Sequence, residues 1–181
     1  MANVRIAGFW PTSSVSVTPR PLGSIFVGEW TQWRGPIASP SPAELADRYA
    51  ASQLVKVYAL GIDMRDLDTV FSVFAPDAFV EGMAGAMPAA EYLPTIYHGA
   101  AVYHATQHNI TNQHVTVDGD EALVWSYAVC YHIEEPGNGR DDLVVATQYR
   151  DRCRRFDDGW LITHRQSVPQ WIRGPYPRSE S

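Results

Sequence analysis

From residue 104 to residue 172 the chain reads as four long strand-like runs, 104–117, 121–134, 142–156 and 159–172. Two of the three connections are tight and carry an Asp–Gly pair, "DGDE" at 118–121 and "DDG" at 157–159. That pair supplies the positive φ angles a short hairpin turn needs, so the flanking runs are antiparallel neighbours. The third connection, "EEPGNGRDD" at 134–142, is a longer loop of turn formers. Strands of this length twist and coil as they pair, and the hollow side of a coiled sheet must be filled.

The filler precedes the sheet. In "SPAELADRY", Ser41 is placed to cap a helix, with Pro42 at its first position and Glu44 three residues past the cap. Ala46, Ala50, Leu54 and Tyr58 then recur at helical spacing, which predicts a helix to about Gly61. "RDLDTVFSVF" predicts a second helix, with Asp66 as its cap, ended by a turn at "APDA". "FVEGM" reads as a short strand, and "MPAAEYLPTIYHG" as a third helix interrupted at Pro94. Helices first and a meander of strands after them is an α+β layout: a cone-shaped, curved antiparallel sheet wrapped around N-terminal helices. The inside of such a cone is a natural pocket.

Residues 42–173 form the predicted domain, 174–181 a short tail, and 1–41 a Pro-rich arm with one short strand expected at "SIFVGEW". Phe9, Trp10, Phe26, Trp30 and Trp33 are costly to leave in water. The arm therefore reads either as a linker or as a strap that packs on a partner subunit.

Charge and cysteines narrow the partners. The 181 residues carry a net charge of −6, and Lys56 is the only lysine, which argues against a phosphate-binding surface and so against nucleic acid. Cys130 and Cys153 have neither metal-ligand spacing nor a disulfide framework, and each reads as a small buried hydrophobe. No apolar run is long enough to span a bilayer and no secretory leader is visible, so a cytoplasmic protein is expected. The six histidines show no compact H-x-x-x-H with carboxylates on one predicted helix, and no G-x-S-x-G, Walker or G-x-G-x-x-G motif occurs. Neither a metal nor an organic cofactor is expected.

Strand periodicity sorts the polar residues. In 121–134 one face carries Ala122, Val124, Ser126, Ala128, Cys130 and His132, the other Leu123, Trp125, Tyr127, Val129, Tyr131 and Ile133. Small side chains leave room, so the first face is assigned to a cavity and the bulky one to a second subunit; the reverse, with the bulky face on the helices, fits the pattern equally. In 104–117, His104, Thr106, His108, Ile110, Asn112 and His114 share one face. His108 lies mid-strand, where a buried imidazole needs partners. Taken singly, Asp63 reads as a turn residue and Tyr58 as core.

The order of motifs changes those readings. A helix bearing "Y....D" (Tyr58, Asp63), an H-x-x-x-N strand (His108, Asn112), "DGD-A", then "Y.D......DGW...HR" and a closing Trp resembles the SnoaL-like branch of the nuclear-transport-factor-two-like superfamily, scytalone dehydratases included. The resemblance covers about residues 42–173. It implies a cystatin-like α+β barrel in which Asp63 orients a catalytic His108, His132 is a second active-site histidine, Tyr58 an active-site tyrosine and Arg165 a pocket arginine. Scytalone dehydratases carry two further pocket tyrosines, where this chain has Ile62 and Gly82. The implied activity is cofactor-independent elimination or isomerisation next to a carbonyl, on a small apolar cyclic substrate. The aromatic face of 121–134 fits a homodimer and a homotrimer alike. A non-catalytic binding module, a cyclase, or an epoxide hydrolase with two carboxylates flanking Arg165 are the alternatives of the same fold.

Overall fold

The computed structural model describes residues 35–175; the aromatic arm and "SIFVGEW" lie outside them. Helices α1 (Pro42–Asp63) and α2 (Leu67–Phe71) are followed by strands β1 (Phe74–Gly82) and β2 (Gly85–Pro88), helix α3 (Ala89–Ala101), and strands β3 (Ala105–Asp118), β4 (Glu121–Ile133), β5 (Leu143–Phe156) and β6 (Gly159–Arg173). All six strands form one curved sheet in the order β2-β1-β6-β5-β4-β3, which does not close on itself. The four C-terminal strands are antiparallel as expected, whereas β1 joins β6 in parallel. No helix among the described residues is long and apolar enough to cross a membrane.

Helix α1 starts as its sequence dictates, with the Ser41 hydroxyl accepting from the Glu44 N–H at 3.2 Å. Its buried stripe, including Ala51, Leu54, Val55, Tyr58 and Ile62, packs on β3, β4 and β6. The helix runs past Gly61 and ends on Asp63, which is thus its last residue rather than a turn residue. A side chain at Gly61 would collide with the backbone and side chain of Val70, so glycine lets α2 close over the end of α1. Arg65, at φ 58°, makes the turn between them, and its guanidinium ties it down by bonding Ile62 O, Tyr103 O and the Thr106 hydroxyl.

Three expectations are corrected. Helix α2 is only 67–71, capped by Asp66 as predicted, and "APDA" is no turn but part of β1. Pro76 has no N–H to give a ladder, and pairing with β6 is irregular between Phe74 and Phe79 while the chain stays extended. The third correction concerns His114. An irregularity between Thr111 and His114, with Asn112 at φ 47°, inserts an extra residue into β3. His108 faces Cys130 across the ladder on the inner side, but His114 faces Trp125 on the outer side. Gln113 reaches inward instead, to Ser126 Oγ and Ser52 O.

On β4 the small face is the inner one: Ala122, Val124, Ser126, Ala128 and Cys130 are buried, whereas Tyr127 and Tyr131 are exposed. Small residues allow α1 to approach the sheet closely, and toward the far end of β4, beyond the reach of α1, they leave space. Cys130 and Cys153 are both free and buried.

Candidate active site

That space is a cavity of about 630 Å³, bounded by α3 on one side and the inner faces of β4, β5 and β6 on the other. Tyr58, Tyr149 and Arg165 line its depth, His108, Cys130 and His132 line one wall, and Arg140 of the β4–β5 loop reaches its mouth. Five side chains named from the sequence take part, and four of them, Tyr58, His108, His132 and Arg165, line it directly. The fifth, Asp63, stands behind His108.

The carboxylate of Asp63 holds His108 at two points. Oδ2 accepts the backbone N–H of His108 at 2.8 Å, and Oδ1 lies 2.7 Å from the imidazole Nδ1. The His108 side chain is 4% exposed. Burial alone would lower its pKa, but the Asp63 hydrogen bond, with a smaller part from the Cys130 thiol, outweighs burial and raises it to about 9. Burial likewise pushes Asp63 up, and the two bonds from His108 more than reverse this, so its carboxyl is held below the usual range. The C-terminus of α1 is the negative end of the helix dipole, where a cation is favoured and a carboxylate is not. The resting pair is an imidazolium on a carboxylate, with Nδ1 committed to Asp63 and Nε2 left for the cavity.

His132 is in the opposite state. Its ring stands edge-on to that of His108, centroids 5.9 Å apart, and leans on Tyr103 at 5.0 Å. Burial, and then the positive charge of His108, push its pKa down to about 4. Its buried Nδ1 has no hydrogen-bond partner among the described residues. Adjacent groups whose environments drive their pKa values apart mark acid and base roles.

Arg165 forms a bidentate ion pair with Asp151, Nε and Nη2 each 2.7 Å from an oxygen. Its guanidinium lies over the rings of Tyr58 (4.3 Å), Tyr149 (4.6 Å) and Phe74 (5.1 Å). Burial disfavours the charge, yet Asp151 keeps it, and Nη1 is left without a partner among the described residues. Of the two carboxylates an epoxide hydrolase would set around this arginine, Asp151 is present and Asp63 is engaged with His108 instead. Burial pushes the hydroxyl pKa of Tyr58 up despite the charge of Arg165, so Tyr58 stays a proton-bearing donor.

Tyr149, Asp151, Tyr92 and Cys130 were not among the predicted site residues. Tyr149 and Asp151 belong to the "Y.D" motif, and their alternation with Arg150 already places them on one face. Tyr92 has no such signal. A Cβ at Gly82 would run into the Tyr92 hydroxyl, so that hydroxyl occupies the space of a residue-82 side chain. The phenol absent from position 82 is thus delivered from α3.

His104 pairs with Glu135 at 2.6 Å on the exposed end of the sheet, and His164 with Glu81 at 2.9 Å on its outer face, both away from the cavity.

A half-open sheet closed by helices over a mostly apolar cavity, with a carboxylate-held imidazole in its wall, defines a protein built around a small-molecule pocket. The chain belongs to the SnoaL-like domain family, whose model matches residues 43–166. The uncharacterized protein Rv2910c of Mycobacterium tuberculosis is 33% identical over 132 residues, covering 69% of this chain and 86% of its own length. Among solved structures, a protein described as a scytalone dehydratase from Novosphingobium aromaticivorans superposes with a TM-score of 0.63 at 22% identity, over 75% of this chain and 97% of its own. A hexachlorocyclohexane dehydrochlorinase, LinA-type3 from Novosphingobium barchaimii, gives 0.63 at 19% identity, over 78% and 99%. At these identities the structural matches establish the fold.

Proposed function

We propose that this protein is a cofactor-independent lyase that eliminates water from a small cyclic β-hydroxy carbonyl compound, with Asp63 and His108 as its proton-transfer pair. The observation that carries the reading is the twofold hold of Asp63 on His108 in the wall of a mostly apolar cavity. The scytalone dehydratase and dehydrochlorinase neighbours, both named for eliminations, are consistent with it.

The neutral imidazole, fixed by Asp63 as the Nδ1–H tautomer, takes the proton from the carbon next to the carbonyl on Nε2. Tyr58, held in its protonated form, and the neutral His132 donate hydrogen bonds to the enolate oxygen as charge develops. The enolate then expels the β-hydroxyl, which leaves as water with the proton that His108 has just acquired. One imidazole thus serves as base and then as acid, and no net proton is exchanged with solvent. An isomerase follows if the proton returns to a different carbon instead. Arg165, neutralised by Asp151, positions the two tyrosines from below and presents Nη1 to a substrate oxygen.

The test is the appearance of enone absorbance from 3-hydroxycyclohexanone and larger ring homologues. The base must be neutral, so kcat/KM rises about tenfold per pH unit from pH 6.5 and levels off near pH 9. His108→Ala lowers kcat about 10²–10⁴-fold while the fold remains intact. Binding of such ketones without turnover at any pH overturns the enzyme and leaves a binding module.

A second copy of the chain is the proposed cover of the outer sheet face. Tyr127 and Trp171 there are 40% and 49% exposed, and on the same face the buried Arg150 guanidinium, stacked 4.2 Å from Trp125, keeps Nε and Nη1 unpartnered among the described residues. Apolar area beside unmet donors is what a subunit interface completes. Sedimentation equilibrium checks it: the chain runs as a dimer or trimer, and Tyr127→Asp together with Trp171→Asp yields a folded monomer. A wild-type monomer refutes it.

A further inference from the structure

Cys130 is on the inner face of β4, directly across the ladder from His108, and both line the cavity. Its thiol lies 3.8 Å from the Tyr149 hydroxyl and is near enough to the imidazole to help raise the His108 pKa. Asp63, His108 and Cys130 therefore follow one another as carboxylate, imidazole and thiol, the imidazole oriented by the first and facing the third. That is the arrangement which activates a sulfur nucleophile: a base within reach of the thiol and a third group fixing the base. Cys153 is the internal contrast. It is fully buried in β5 away from the cavity, and burial, reinforced by the nearby Asp151 carboxylate, pushes its thiol pKa well up. Two cysteines that look alike in the sequence occupy different chemical environments.

The other end of the cavity points to a ligand with an oxygen. Arg165 is 1% exposed and lines the same space, yet its Nη1 donates to nothing among the described residues. A buried guanidinium donor left open at the floor of a pocket calls for an acceptor carried by a guest. The Tyr58 hydroxyl, which also lines the floor, is a second donor to the same region.

We propose that Cys130 is a nucleophilic centre that captures α,β-unsaturated carbonyl compounds in the cavity by conjugate addition. His108 in its neutral form takes the thiol proton on Nε2. The sulfur lone pair forms the C–S bond at the β-carbon, the C=C π pair shifts to join the α-carbon to the carbonyl carbon, and the carbonyl π pair moves onto oxygen as an enolate. Its negative oxygen is met by the donors at the floor. The imidazolium then returns its proton to the α-carbon as the enolate collapses, so that S–H has been added across C=C with no oxidant, reductant or co-reactant. The inference shares His108 with the elimination reading but stands without it, because labelling requires no turnover. Where both hold, the enone released by elimination is the electrophile, and Cys130 retains product until the addition reverses.

The experiment treats the full-length protein with cyclohex-2-en-1-one and follows intact mass, with peptide mapping of both cysteines. Expected is a single adduct of one enone mass on Cys130, faster at pH 9 than at pH 6.5, with Cys153 unmodified. Saturated cyclohexanone slows labelling by occupying the cavity. Both His108→Gln and Asp63→Asn slow it about tenfold or more, with Cys153 still protected as the sign that the fold holds. No adduct, equal labelling of both cysteines in the folded wild type, or unchanged rates in both variants overturns the proposal. Labelling without dehydration of hydroxyketones removes only the elimination reading, and dehydration without labelling removes only this one.

Discussion

Replacing Asp63 by Asn keeps the shape of the side chain and removes the charge on which His108 rests, so its effect on stability can be worked out with its pH dependence. His108 has a folded pKa of about 9, against the ordinary histidine value of 6.5 expected in the unfolded chain. At roughly 1.4 kcal/mol per pH unit, that gap amounts to about 3 kcal/mol of folding stability. The folded pKa is the higher one, so the contribution is complete below pH 6.5, fades as pH rises, and is gone above pH 9. His132 has the opposite sign: its pKa is pushed down to about 4, so its burial costs stability as pH falls below 6.5 and contributes little above it. The window from pH 6.5 to 9.5 therefore isolates the Asp63–His108 pair. In Asp63→Asn the amide oxygen still accepts the His108 backbone N–H, while burial, now unopposed, drives the imidazole neutral. Urea unfolding at pH 6.5, 8 and 9.5 should show the wild type more stable than the variant by about 3 kcal/mol at the first pH, with most of that gap closed at the last. A gap that stays constant across the three pH values would show that His108 carries no charge dependent on Asp63, and the acid–base argument would fall with it.

Two further perturbations test the floor of the cavity. Arg165→Met strands the buried Asp151 carboxylate and should cost about 3–5 kcal/mol in urea unfolding; pairing it with Asp151→Leu should recover most of the loss, as expected for a buried ion pair whose members are each costly only when alone. Gly82→Ala drives a methyl into the space held by the Tyr92 hydroxyl. It should cost about 1–3 kcal/mol and weaken binding of cyclic ketones measured by calorimetry, whereas no change in either places Tyr92 outside the site.

How much of this was legible in the sequence depends on the range of the interaction. Ser41, Pro42 and Glu44 specify the start of α1 within four residues, and the Asp–Gly turns specify the hairpins, because caps and turns are local chemistry. The α+β layout followed from those parts, and the placement of Asp63 behind His108 followed from the order of motifs. What escaped depends on context. Nothing in "HNITNQH" announces that Asn112 will adopt a positive φ, and without that extra residue His114 lands on the wrong side of the sheet. The parallel union of β1 with β6 joins residues 85 to 88 positions apart, beyond any local pattern. The role of Tyr92 depends on a glycine ten positions earlier leaving a space that only the folded chain creates.

Tyr58 and Asp63 are carried by the same rigid helix, five residues apart, which at about 1.5 Å per residue sets a step of roughly 7.5 Å along its axis. The helix is a ruler. Because α1 is continuous through both positions, the level of the deep phenol and the level of the carboxylate that holds His108 cannot drift independently. A slide of α1 along its axis moves both together, and only a break in the helix between Tyr58 and Asp63 would change their spacing.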